Sequence, residues 1–117
     1  MKFLVIDQDR VAMQRLGFAC QERGAGLLIA ENVSEGVRAL LREVVSLIVV
    51  DAALLRFTPT EHLTLFDRVA PGVPVVVVVR PGLPLQSRVS FELAGFRVLT
   101  RPVTAEDLLE KLEPLKR

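Results

Sequence analysis

Two aspartates each close a short aliphatic run. Ser46-Leu47-Ile48-Val49-Val50 leads straight into Asp51, and Phe3-Leu4-Val5-Ile6 leads into Asp7-Gln8-Asp9. An unbroken apolar run of that length suits a strand buried on both faces, as in a parallel sheet. Each aspartate then stands at a strand's C-terminal end, where open α/β sheets form their ligand crevice. Carboxylates in such a crevice can hold a hard divalent cation or pair with a basic side chain. Basic residues follow two of the other runs: Arg80 comes after Val75–Val79, and Arg101 two residues after Phe96–Leu99. The blander reading of Asp51 is a cap on the loop that follows it.

The elements that must position these groups alternate strand with helix. After Asp9, Arg10 to Arg23 reads as a helix with Ala12, Leu16, Ala19 and Cys20 on one face, stopped at Gly24 and Gly26. Leu27 to Ala30 is a second strand. Asn32 caps a second helix, with Glu35 reaching back and Val33, Val37, Leu40, Leu41 and Val44 as its core stripe. Ala52 to Phe57 is expected to be a loop on the cleft side. Thr58-Pro59-Thr60-Glu61 starts a third helix, with Leu63, Phe66 and Val69 inward and Pro71-Gly72 ending it. The valine run 75–79 reads as a central strand, because so β-favouring a stretch is an aggregation hazard at an edge.

Arg80-Pro81-Gly82 turns the chain into a fourth helix whose stripe is Leu85, Val89 and Leu93, ended by Gly95. Phe91 lies off that stripe, which leaves it either exposed or tucked against the sheet edge. Phe96 to Leu99 is the fifth strand. Thr104, with Asp107 three residues on, caps a last helix with Leu108, Leu109 and Leu112 inward, terminated by Pro114 and Lys116-Arg117. Right-handed crossovers then give a parallel five-stranded, flavodoxin-like sheet in the order 2-1-3-4-5, with helices on both faces as a three-layer sandwich.

The 117 residues suit one domain over 1–117, half of them hydrophobic, with 15 basic against 14 acidic residues. The charge balance offers no basic stripe for nucleic acid. The single cysteine, Cys20, excludes an internal disulfide, fits a reducing cytoplasm, and reads as a buried, inert thiol. No apolar run is long enough to span a bilayer as a helix. His62 follows the third helix's start with no partner near in sequence and reads as exposed. Gly24-Ala25-Gly26 precedes a strand instead of following one, so it fails the context of a dinucleotide loop.

With these elements in order, the whole chain resembles the receiver domain of bacterial two-component response regulators. Lys2-Phe3-Leu4-Val5-Ile6-Asp7 looks like the family's first strand and the first of its acidic pair. Leu47-Ile48-Val49-Val50-Asp51 looks like the strand ending in the phospho-accepting aspartate, and Leu99-Thr100-Arg101-Pro102 like the family's Leu-Thr-Lys-Pro with its cis peptide bond. The resemblance implies an aspartyl phosphate on Asp51, Mg²⁺ held by Asp51 and the acidic pair, and a lysine and a hydroxyl holding the phosphoryl group.

The chain keeps only part of that set. Gln8 replaces the second acid, and Asp9 beside it is as well placed to cap a helix as to hold a metal. Val79 stands at the hydroxyl position and Arg80 at the small residue after it. Arg101 replaces the lysine, a bulkier planar cation. Val98 takes the aromatic switch position, and Ala52-Ala53-Leu54-Leu55 replaces the usual Met-Pro stretch. The expectation is a pseudo-receiver in which Arg101 and Arg80 pair with Asp7 and Asp51, with no cofactor. Its output would pass to a protein partner in trans or through a homodimer, since no output segment follows the fifth helix. Arg88, Phe91, Glu92 and Arg97 form the candidate interaction surface on the face that receivers commonly use.

Two other readings compete. In one, Asp51 is a working phospho-acceptor served by a histidine kinase, with Mg²⁺ bound. In the other, the chain is a small flavodoxin-like enzyme or ligand-binding domain, against which stands the lack of a phosphate-cradling glycine loop and of a nucleophile–base pair. No enzyme activity is therefore expected.

Overall fold

The computed structural model describes residues 1–112. Its elements are β1 (Lys2–Ile6), α1 (Arg10–Glu22), β2 (Gly26–Ala30), α2 (Val33–Arg42), β3 (Leu47–Asp51), α3 (Pro59–Val69), β4 (Val75–Val79), α4 (Leu85–Ala94), β5 (Arg97–Thr100) and α5 (Ala105–Leu112). The strands form one parallel sheet in the order β2-β1-β3-β4-β5. This is the flavodoxin-like arrangement expected. The expected terminators Pro114 and Lys116-Arg117 lie outside the described residues.

Strand alternation divides the core into two layers. Leu4, Ile6, Ile48, Val50, Val75, Val77 and Val79 face α2, α3 and α4, where Leu40, Phe66 and Phe96 join them. Phe3, Val5, Leu47, Val49, Val76 and Val78 face the other way, onto Met13, Leu16 and Cys20 of α1 and Leu108 of α5. Every valine of β4 is buried, as a central strand covered on both faces requires. Cys20 is buried too, and burial raises its thiol pKa, so it is poorly reactive.

The caps follow the sequence closely. Asn32 Oδ1 accepts from Glu35 N–H, and Glu35 Oε2 in turn accepts from Glu31 N–H. Thr58 Oγ1 accepts from Glu61 N–H, and Thr104 with Asp107 makes the reciprocal pair expected of a capping box. Gly95 ends α4 with φ near 113°, a left-handed conformation that only glycine adopts without strain.

Three expectations about helix faces are overturned. Leu85, Val89 and Leu93 point outward, with Leu93 83 % exposed, while Phe91 turns in and meets Phe96 edge-on with ring centroids 5.7 Å apart. Phe91 and Ala94 share the side of α4 that packs against the buried cluster, where Phe96 offers the ring a partner. On α2, Leu40 is buried but Leu41 stands in solvent, 71 % exposed, and Val44, beyond the helix end, is 93 % exposed. Gly36 and Leu40 set the buried line of α2, and Gly36 lets it close onto Ile6. The third correction is His62, which is 2 % exposed. It lies one turn before Phe66 on the inner face of α3, and its Nε2 accepts from the backbone N–H of both Arg56 and Phe57. The segment after Asp51, expected to be a plain loop, opens with a single 3-10 turn over Ala52–Leu54.

Candidate functional site

The pocket is built by strand ends. Asp7 follows β1, where its backbone N–H donates to Ala30 O and holds it level with the end of β2. Asp51 is the last residue of β3 and pairs in register with Val78 of β4. Arg101 follows β5, with its N–H donating to Val79 O. Three separate strands thus bring together three charges that the sequence separates by up to 94 positions.

One guanidinium serves both acids. Arg101 Nη2 lies 2.6 Å from Asp7 Oδ2 and 3.0 Å from Asp51 Oδ2. The remaining carboxylate oxygens are also used: Asp7 Oδ1 accepts from Asp9 N–H at 2.9 Å, and Asp51 Oδ1 accepts from Ala53 N–H at 3.1 Å. Asp7 is only 4 % exposed, so its charge depends on these partners. Burial alone would lower the Arg101 pKa. The hydrogen bond and charge of Asp7, reinforced by Asp51, outweigh burial and raise it, so the guanidinium stays charged.

The remaining candidates do not join this cluster. Asp9 is the N-cap of α1, its Oδ1 accepting from Ala12 N–H. Gln8 turns toward β2 and donates to Glu31 O. Arg80 is exposed and makes no ion pair among the described residues, so the expected second pairing cation is not one. Arg80, ahead of the Pro81-Gly82 turn, points to solvent, whereas Arg101 reaches the acids at the strand ends. Val79 is buried and offers no hydroxyl, and Val98 is a core residue.

Asp7 and Asp51 are occupied by Arg101, the third acid is an amide facing elsewhere, and no group of three His, Cys, Asp or Glu side chains among the described residues is arranged to hold a metal. What the arrangement does is tie both of its acids to one internal cation.

The expected surface on α4 and β5 is rearranged. Arg88 pairs with Glu92 at 3.8 Å and donates to Thr100 Oγ1 at 2.9 Å, and Arg97 donates to Lys111 O. With Phe91 turned inward, the apolar side chains presented there are Leu85, Val89 and Leu93. Sequence reasoning missed His62. Its Nε2 accepts two N–H groups, so Nδ1 carries the ring proton, and that atom is buried without a partner. The four-residue spacing from His62 to Phe66 was the available signal.

No family model matches the sequence. The transcriptional regulatory protein GlrR of Escherichia coli K12 is 29 % identical over 113 residues, 94 % of this chain. The chain spans about a quarter of the length of that relative, the matched share being 25 %. A CheY-like response regulator receiver domain from Methanospirillum hungatei superposes with a TM-score of 0.77 at 26 % identity, covering 95 % of this chain and 89 % of that one. A Burkholderia pseudomallei response regulator, solved with a phosphorylated aspartate, a calcium ion and citrate, superposes with a TM-score of 0.80 at 23 % identity, over 96 % of this chain and 66 % of that one. With the strand order and the acids ending β1 and β3, these likenesses give the chain the fold of response-regulator receiver domains.

Proposed function

We propose that this receiver domain is a pseudo-receiver: a protein-interaction module whose acceptor pocket is closed from within and which signals without phosphorylation. One observation carries the reading, the guanidinium of Arg101 bonded to both Asp7 and Asp51. In this reading Arg101 stands where a metal and a phosphoryl group would otherwise meet the two acids. It supplies a permanent positive charge, so the pocket has one state and needs no Mg²⁺. Output passes to a protein partner in trans, and the outward stripe Leu85-Val89-Leu93, with the Arg88–Glu92 pair on the same helix, is the surface offered to it. The domain is proposed to have no enzymatic activity of its own.

The competing reading, Asp51 as a working phospho-acceptor served by a histidine kinase with Mg²⁺ bound, is favoured by the survival of Asp7 and Asp51 side by side. An amide-resolved NMR titration with Mg²⁺, then Mg²⁺ with beryllofluoride, separates the two. The pseudo-receiver leaves the amides of Asp51, α4 and β5 unshifted at millimolar Mg²⁺. Shifts spreading from Asp51 to α4 establish a working receiver instead.

A further inference from the structure

Between α2 and the segment that joins Asp51 to α3 lies a groove of about 610 Å³. This is within the range of pockets that take a substantial ligand group, roughly 300–1,000 Å³. Its apolar lining comes from Val33 and Val37 of α2, Leu54 of the 3-10 turn and Leu65 of α3. Phe57 forms part of the rim and is 66 % exposed, an unusual position for an aromatic ring. The ring is nevertheless held. His62 accepts from Phe57 N–H at 2.9 Å and from Arg56 N–H at 3.1 Å, and its imidazole packs on Phe57 with centroids 5.3 Å apart. The wall opposite α2 is therefore built on a buried anchor.

The charge around the groove is one-sided. Arg38 and Arg56 line it from its two walls, and Arg42 follows Arg38 by one helical turn. None of the three makes an ion pair among the described residues. The two acids nearest in sequence to the α2 wall are committed elsewhere: Glu31 binds Arg10, and Glu35 caps Glu31 N–H. The apolar row also outruns the cavity. From Val33 and Val37 it continues at the same spacing to Leu41, 71 % exposed, a length of about 12 Å at roughly 1.5 Å per residue. A row of that length beside unpaired cations matches an amphipathic helix with acids along its flank, laid into the groove.

We propose that this groove docks an acidic amphipathic segment of a protein partner. Apolar side chains at helical spacing would cover Val33, Val37, Leu41 and Phe57, and carboxylates would meet Arg38 and Arg56. The surface is distinct from the α4 stripe, and it requires nothing of the Asp7–Arg101–Asp51 cluster.

The test uses the whole chain as bait for a random-peptide display library, with counter-selection on the double variant Arg38→Glu/Arg56→Glu. Both side chains are exposed, so the variant should keep the far-UV circular dichroism and melting temperature of the parent, which is checked first. The expected result is enrichment of peptides with apolar residues at i, i+3 or i+4 flanked by Asp or Glu. A synthetic peptide of the consensus should shift the amides of Val33, Val37, Arg38 and Phe57. It should bind the double variant about tenfold more weakly or worse, and lose affinity in high salt. Leu41→Ser should weaken it without unfolding the chain. Four results overturn the proposal: no enrichment, a consensus without acids, equal affinity for the double variant, or shifts confined to α4. Self-association of the parent chain that the double variant abolishes also overturns it, making a second copy the occupant. The variants leave Asp7, Asp51 and Arg101 in place, and the beryllofluoride titration does not touch the groove, so either proposal can fail without the other.

Discussion

Replacing Arg101 by alanine is the most informative single change. It removes the one cation shared by Asp7 and Asp51. Breaking a buried pair on one side costs about 3–5 kcal/mol, because the stranded charge has lost both water and partner. The full figure does not apply here. Asp51 is 21 % exposed and recovers some hydration, and Asp7 keeps one hydrogen bond, from Asp9 N–H. Asp7, at 4 % exposed, has no such access to water. The two acids also face each other once the nitrogen between them is gone, and like charges at close range repel. A loss of about 2–3 kcal/mol is expected on that balance. For a chain of this size that is roughly 8–15 °C in melting temperature. Urea unfolding followed by circular dichroism gives the free energy, with an unchanged m-value as the check that the native fold persists. The variant should also regain stability on adding Mg²⁺, because the acids are freed for a cation, while the parent chain should not respond. Arg101→Lys should lie between the two. A melting temperature for Arg101→Ala within about 2 °C of the parent, at equal m-value, would refute the reasoning that Arg101 is what holds this pocket together.

Further outcomes follow from burial and charge. His62 has its pKa lowered, chiefly by burial and against the opposing influence of Glu61, so the unfolded chain takes up a proton more readily than the folded one. Its contribution to stability should be complete above a pH of about 6.5 and be lost as pH falls from there toward the lowered folded value. His62→Gln should flatten that part of the stability–pH curve measured by urea titration. On α4, Phe91→Ala should cost about 2–3 kcal/mol, whereas Leu93→Ala should stay within about 0.5 kcal/mol, a ranking opposite to that implied by the Leu85–Val89–Leu93 periodicity. Gly36→Ala should destabilise by about 1–3 kcal/mol in thermal melts, since a Cβ there would sit 2.5 Å from Ile6 Cδ1.

The order and kind of every strand and α-helix could be read from the chain alone, and so could most caps. Apolar runs such as Leu47–Val50 and Val75–Val79 leave a parallel, doubly covered sheet as the consistent arrangement, and local chemistry at Asn32, Thr58 and Thr104 marks helix starts without long-range help. The pairing of Arg101 with both acids was also foreseeable, because strand ends of one parallel sheet must converge at one edge. What tertiary structure alone decided was direction. A helix such as α4 carries two apolar faces, and only the presence of Phe96 selects the one with Phe91. Arg80 and Arg101 are the same residue type at equivalent strand ends, yet one points to solvent and the other reaches the carboxylates. His62 reads as a surface residue until the backbone of Arg56 and Phe57 folds back onto it. Periodicity records which residues share a face, and the neighbour across the gap decides which face is buried.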